Sequence, residues 1–273
     1  MGRALAMLAV MLTSSSALIG AEAKAAPVSL QLPLVHDSTG ECLEPVPVTV
    51  SARGITDPGH RVRLDVHVLL DGISDARGIQ VMSKAAEAYA PLGITLKSTF
   101  RRVSFPSDGT ERTPGSTRPM PTGQDVKLFT YLRWEVGGVR PRSSDVVYLL
   151  TGKDIYVNAN GQRNYDAAGV ADCIGGVRFP DAAFAIGEGT SPWENIINDD
   201  TFSAKVAAHE IGHVMGAHHH YGNCFEGNRS TEGGGEPSLC TVMWPTDINY
   251  AAMNFGTLET AVVRGYAVRF AAP

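Results

Sequence analysis

The sequence predicts an α/β fold in which a twisted mixed sheet lies above a central helix and a smaller C-terminal part lies below a cleft. Three observations predict it. Apolar residues alternate with polar ones from Val62 to Leu70. An uninterrupted apolar run occupies Val146 to Leu150, and stretches at helical spacing stand between and after these segments.

Each element follows from its residues. Val62, Leu64, Val66, Val68 and Leu70 alternate with Arg61, Arg63, Asp65, His67 and Leu69, the period of a strand with one buried face; His67 then faces away from the core. Ser74 or Asp75 is placed to cap a helix running toward Ala90, with Ile79, Met82, Ala86 and Tyr89 on one face. Pro91 and Gly93 stop it, and Ile94 to Phe105 reads as a second strand. Residues 106–123 are rich in Pro, Gly, Ser and Thr and read as a surface loop. A short helix is expected near Val126 to Trp134, then the buried strand, then strand pieces near Gly169 and near Phe184 to Ile186. Asp199, Asp200 or Thr201 is placed to cap the next helix. Leu258, Val262, Tyr266 and Phe270 recur at helical spacing in a last helix from Thr257 to Phe270, which packs on the core. No internal repeat is evident.

Composition suits a globular protein with a sizeable core: 273 residues, 44% hydrophobic and 19% charged. The net charge of −5 is mild and does not point to nucleic acid or an anionic membrane as partner. Arg3 precedes an apolar run from Ala4 to Leu12, and Ala21-Glu22-Ala23 and Ala23-Lys24-Ala25 offer small-residue cleavage sites, the pattern of an export signal. The competing reading is a membrane anchor, but Ser14, Ser15 and Ser16 interrupt the apolar stretch. The expected organisation is a signal peptide over 1–23, an N-terminal extension or short propeptide over 24–59, and one main domain over 60–273. Export would place the protein outside the cell or in a periplasm, without stable membrane insertion.

The most specific signal is His209-Glu210-Ile211-Gly212-His213-Val214-Met215-Gly216-Ala217-His218-His219, an H-E-x-x-H-x-x-G-x-x-H pattern. His209 and His213 stand four residues apart and so project from one helix face. Gly216 ends the helix through a left-handed backbone, which lets His219 turn back as a third ligand. Three protein ligands leave a fourth position for water, the arrangement of a catalytic rather than a structural zinc site. Glu210 adjoins a ligand and suits the role of general base toward that water. One zinc ion is expected. His218 and His220 read as solvated turn residues, the alternative being that one of them replaces His219 as ligand; His36, His60 and His67 have no ligand spacing.

These residues resemble the metzincin zinc metallopeptidases of the reprolysin or adamalysin type. The resemblance rests on the zinc motif and more weakly on three other features. These are Asp145-Val146-Val147-Tyr148-Leu149-Leu150-Thr151-Gly152, Ala168-Gly169-Val170-Ala171 leading to Cys173, and the placing of Cys224, Cys240 and Met243 after the helix. It covers residues 60–273. It implies a tight turn carrying Met243 beneath the zinc site, an edge strand at Ala168–Ala171 against which substrate lies, and hydrolysis of peptide or protein substrates. His220 departs from the Asp that adamalysins usually carry after the third histidine.

Cys42, Cys173, Cys224 and Cys240 allow three pairings. Cys224–Cys240 would close the loop holding Gly233-Gly234-Gly235, a contribution of about 3 kcal/mol on an entropic account. Cys42 and Cys173 would then pair. In the alternative, Cys42 is a propeptide thiolate that caps the zinc, although Gly40-Glu41-Cys42-Leu43 does not reproduce the usual switch sequence. The functional expectation is a secreted zinc endopeptidase. Its competitors are another zinc amide hydrolase and a secreted binding protein with a relic zinc site.

Overall fold

The computed structural model of the chain describes residues 28–30, 48–50, 61–105, 127–155, 157–159, 162–164, 167–189, 201–219, 241–244 and 252–271. Two short strands, β1 (Val28–Leu30) and β2 (Val48–Val50), pair antiparallel. The main unit begins at β3 (Val62–Asp71) and helix α1 (Asp75–Tyr89). It continues with a short 3-10 turn at Ala90–Leu92, β4 (Ile94–Val103), α2 (Lys127–Glu135) and β5 (Val146–Thr151). A small antiparallel pair, β6 (Val157–Ala159) and β7 (Gln162–Asn164), precedes β8 (Gly169–Ala171) and β9 (Phe184–Glu188). The long motif lies on α3 (Phe202–Val214), and α4 (Thr257–Phe270) closes the described chain.

The central sheet is mixed, in the order β4-β3-β5-β9-β8. Its first four strands are parallel, and β8 runs antiparallel to β9 at one edge. Parallel strands need helical crossovers, which cover the sheet faces. On one face, Leu64, Val66, Val68 and Leu70 of β3 join Val146, Tyr148 and Leu150 of β5 in a core with α1, α3 and α4. On the other, Leu69, Val147, Leu149, Phe184 and Ile186 pack with Leu128, Phe129 and Leu132 of α2. The strand at 62–71 is therefore covered on both sides at its C-terminal half, where one buried face was expected. Leu69 is fully buried, and His67, of the same parity, is half-buried with Nδ1 3.3 Å from Thr99 Oγ1.

α1 starts where the sequence indicates, since the Ser74 hydroxyl accepts from the backbone N–H of Arg77 at 3.2 Å. Its buried face differs from the expected one. Gly78, Val81, Met82, Ala85, Ala88 and Tyr89 face inward, while Ile79 is 51% exposed. Gly78 explains the shift: a Cβ there would stand 2.7 Å from Leu70 Cδ2, so α1 sits close on β3 along the line of Gly78. Gly93, at φ 68°, turns the chain into β4.

α3 is buried on every side, as its apolar composition requires. Thr201 occupies its N-cap position but makes no side-chain capping hydrogen bond, contrary to one expected role; Asp199 and Asp200 lie outside the described residues. The Tyr89 hydroxyl donates to Ala208 O at 2.8 Å and ties α1 to α3. The expected signal peptide and the 106–123 loop also lie outside the described residues. Among the described residues no helix is long and apolar enough to cross a membrane.

Candidate metal centre

α3 places His209 and His213 one turn apart, and the chain reverses directly after Val214. Gly216 has φ 87°, the left-handed conformation expected for it. Its N–H donates to His213 O at 2.8 Å, and Ala217 N–H donates to Gly212 O at 2.9 Å. The reversal brings His219 to the two helical histidines.

The three Nε2 atoms form a nearly equilateral triangle. His209 and His213 are 3.0 Å apart, His209 and His219 3.2 Å, and His213 and His219 3.1 Å. Three nitrogens at Zn–N distances of about 2.0–2.1 Å in a tetrahedral set lie about 3.3 Å from one another, so the triangle fits a metal ion. The other ring nitrogens fix the tautomers of the two helical histidines. His209 Nδ1 is 2.7 Å from Val242 O, and His213 Nδ1 is 2.8 Å from Ala217 O. A carbonyl can only accept, so each Nδ1 carries the hydrogen and each Nε2 presents a lone pair to the triangle. Burial, then the neighbouring His219, pushes His209 down to about 3; burial and the other two histidines hold His213 well below the usual histidine range. Both stay neutral, the state in which a histidine can ligate a metal.

Among the described residues this triad is the one group of histidine, cysteine or acidic side chains close enough to share an ion. His218 is half-buried and outside it, and His220, His36 and His60 lie outside the described residues.

Met243 lies beneath α3. Thr241 to Trp244 form a tight turn in which Trp244 N–H donates to Thr241 O at 3.1 Å, and Met243 N–H donates to Thr241 Oγ1 at 3.2 Å. Met243 is fully buried. A Cβ on Gly212 would stand 2.7 Å from its Sδ and 3.0 Å from Phe255, which gives that motif glycine a packing reason. The same turn supplies the Val242 carbonyl to His209.

Glu210 is buried and points toward β8. A Cβ on Gly169 would stand 2.8 Å from both Cγ and Oε1 of Glu210, so the carboxylate rests against the edge strand. The Val242 and Ala217 carbonyls and the contact at Gly169 are absent from the spacing argument. A glycine inside a strand, which marks a close approach, is the signal that could have pointed to Gly169. Of the four cysteines only Cys173 is among the described residues, where it does not titrate as a free thiol; the expected pairings involve Cys42, Cys224 and Cys240, which lie outside them.

Residues 76–220 match the family described as Metallo-peptidase family M12B Reprolysin-like. The match spans more than half of the 273 residues, and the chain belongs to this family of metallopeptidases. In fold it is similar to the crystal structure of archaemetzincin from Methanopyrus kandleri. That likeness has 17% identity and a TM-score of 0.52, and covers 76% of this chain and 97% of that one. A chaperone–substrate complex aligns at 12% identity and a TM-score of 0.38, over 59% of this chain and 24% of that one. No curated protein matches the sequence.

Proposed function

We propose that the protein is an exported zinc endopeptidase in which His209, His213 and His219 hold one zinc ion and Glu210 is the general base. The observation that carries this reading is the triangle of Nε2 atoms, 3.0–3.2 Å on a side, beside a buried carboxylate on the same helix. Zinc bound there supplies Lewis acidity and lowers the pKa of water toward about 7.

The chain's own residues do the rest. Among the described residues β8 ends the sheet order, so its outer edge suits an extended peptide by strand addition. Gly169 brings that edge against Glu210. A scissile carbonyl lying there would be within reach of the base. Glu210 takes a proton from the attacking water on its carboxylate and delivers it to the leaving nitrogen. The apolar packing of α3 and the Val242 carbonyl keep the histidines from reorienting as the peptide binds. The N-terminal apolar run, with its small-residue cleavage sites, supports export.

The test is cleavage of a long unstructured protein by the purified protein, with and without a zinc chelator, beside a metal count. One zinc per chain and chelator-sensitive internal cuts are expected. Cuts confined to the chain ends would make it an exopeptidase. One zinc with no cleavage, even after removal of residues 27–58, would favour a binding role.

A further inference from the structure

The fully buried hydroxyl of Tyr148 has no hydrogen-bond partner among the described residues. Leaving a buried hydroxyl unsatisfied is costly, so each such group calls for an explanation. Tyr89 provides the contrast: it is equally buried beside the same helix, but its hydroxyl donates to Ala208 O at 2.8 Å.

The position of the Tyr148 ring supplies the explanation. Tyr148 leaves β5 and crosses β9, where a Cβ on Gly187 would stand 2.0 Å from its hydroxyl oxygen. Gly187 is paired in register with Gly169 of β8, whose own Cβ would stand 2.8 Å from Glu210 Oε1. Val206 Cγ1 reaches both positions, at 3.0 Å from the first and 2.6 Å from the second. Both glycines face α3. Directly opposed Cβ positions on an antiparallel pair are about 5 Å apart. The phenol oxygen and the carboxylate thus occupy the two halves of one trough, made possible because both strands carry glycine there. One water, with two hydrogen bonds of about 2.8 Å, can link two oxygens that share such a trough.

We propose that Tyr148 is a positioning residue for Glu210: its hydroxyl donates to a buried water that in turn donates to the Glu210 carboxylate, holding it against Gly169. Burial, and then the charge of Glu210, keep the Tyr148 hydroxyl well above the usual tyrosine range, so it remains a donor. Nothing is transferred through this link; it fixes the orientation of the base. The inference rests on the peptidase reading for its catalytic consequence but not for the link itself.

The test is Tyr148→Phe, alone and combined with Glu210→Ala, in the zinc-loaded protein. Removing one oxygen leaves the ring packing intact. The link predicts that Tyr148→Phe lowers the unfolding midpoint when Glu210 is present and raises it when Glu210 is replaced by Ala. It also predicts a loss of about tenfold in kcat with KM changed less than twofold. A midpoint that rises equally in both backgrounds would mark the hydroxyl as merely unsatisfied and overturn the proposal. So would an unchanged kcat in an active enzyme. If the wild-type protein cleaves nothing, the peptidase reading fails, while the midpoint comparison still decides the link.

Discussion

Gly212 and Met243 touch so closely that a methyl group on the glycine would stand 2.7 Å from the methionine sulfur. The glycine between the two helical histidines therefore lets the methionine turn press against α3. The turn in turn brings the Val242 carbonyl to His209 at 2.7 Å. Gly212→Ala is expected to cost about 1–3 kcal/mol, because Met243 and Phe255 must both give way in a packed core. Denaturant titration of the zinc-loaded variant checks this, and a loss below about 0.5 kcal/mol would mean that the turn yields freely.

Metal retention separates the histidines. His209→Ala, His213→Ala and His219→Ala are each expected to lose the ion on dialysis, since each removes one corner of the triangle. His218→Ala should keep one ion per chain. Metal analysis after gel filtration reads all four, and loss of the ion from His218→Ala would reassign the third ligand.

Glu210→Gln should bind zinc as the wild type does and lose at least about a thousandfold in peptide cleavage, because the amide cannot accept the proton. The side chain keeps its size against Gly169. Cleavage at the wild-type rate would remove Glu210 from the mechanism.

The metal-free protein should weaken in acid. In the unfolded chain His209 and His213 take up protons near pH 6.5, whereas in the folded chain His209 does so only near 3 and His213 well below its usual range. Between those values the unfolded state binds more protons, so unfolding free energy rises with pH there and levels off above about 6.5. For two histidines the slope approaches about 2.7 kcal/mol per pH unit at its steepest. Denaturant midpoints of chelated protein from pH 5 to pH 8 measure it, and a flat profile would show that these rings are not held neutral.

Gly216→Ala should also destabilise, by about 1–2 kcal/mol for the left-handed backbone alone. A Cβ there would add a contact of 2.8 Å with the Tyr266 ring. Thermal unfolding and the zinc content of the variant read the two effects together.

The triad and the turn at Gly216 were legible because helix geometry converts spacing directly into direction. Four residues make one turn, and a glycine permits the reversal. Most strands and helices were legible for the same reason, period and punctuation being local properties. What α1 buries was legible only in part: Met82 and Tyr89 face inward as expected, but Ile79 is turned outward by a contact between Gly78 and Leu70, residues on different elements. The second buried face of β3 was hidden as well. Arg63, Asp65 and His67 read as a solvent face, yet Leu69 on the same side is sealed by α2. The partners of the helical histidines were beyond reach altogether, since Val242 and Ala217 act through backbone carbonyls that any residue carries.

The three candidate ligands fall within residues 209–219, whereas the carbonyl that orients the first of them comes from 33 positions away. Closing the triangle requires almost no long loop, so its entropic cost is small and a chain far from its final topology could already gather the three rings. The distant fastening arrives at greater cost and only with the completed fold. For an ion held by this triad, capture and retention would then belong to different stages of folding. An incomplete chain ending before Thr241 would take up zinc weakly and exchange it quickly, and only the finished protein would hold it long.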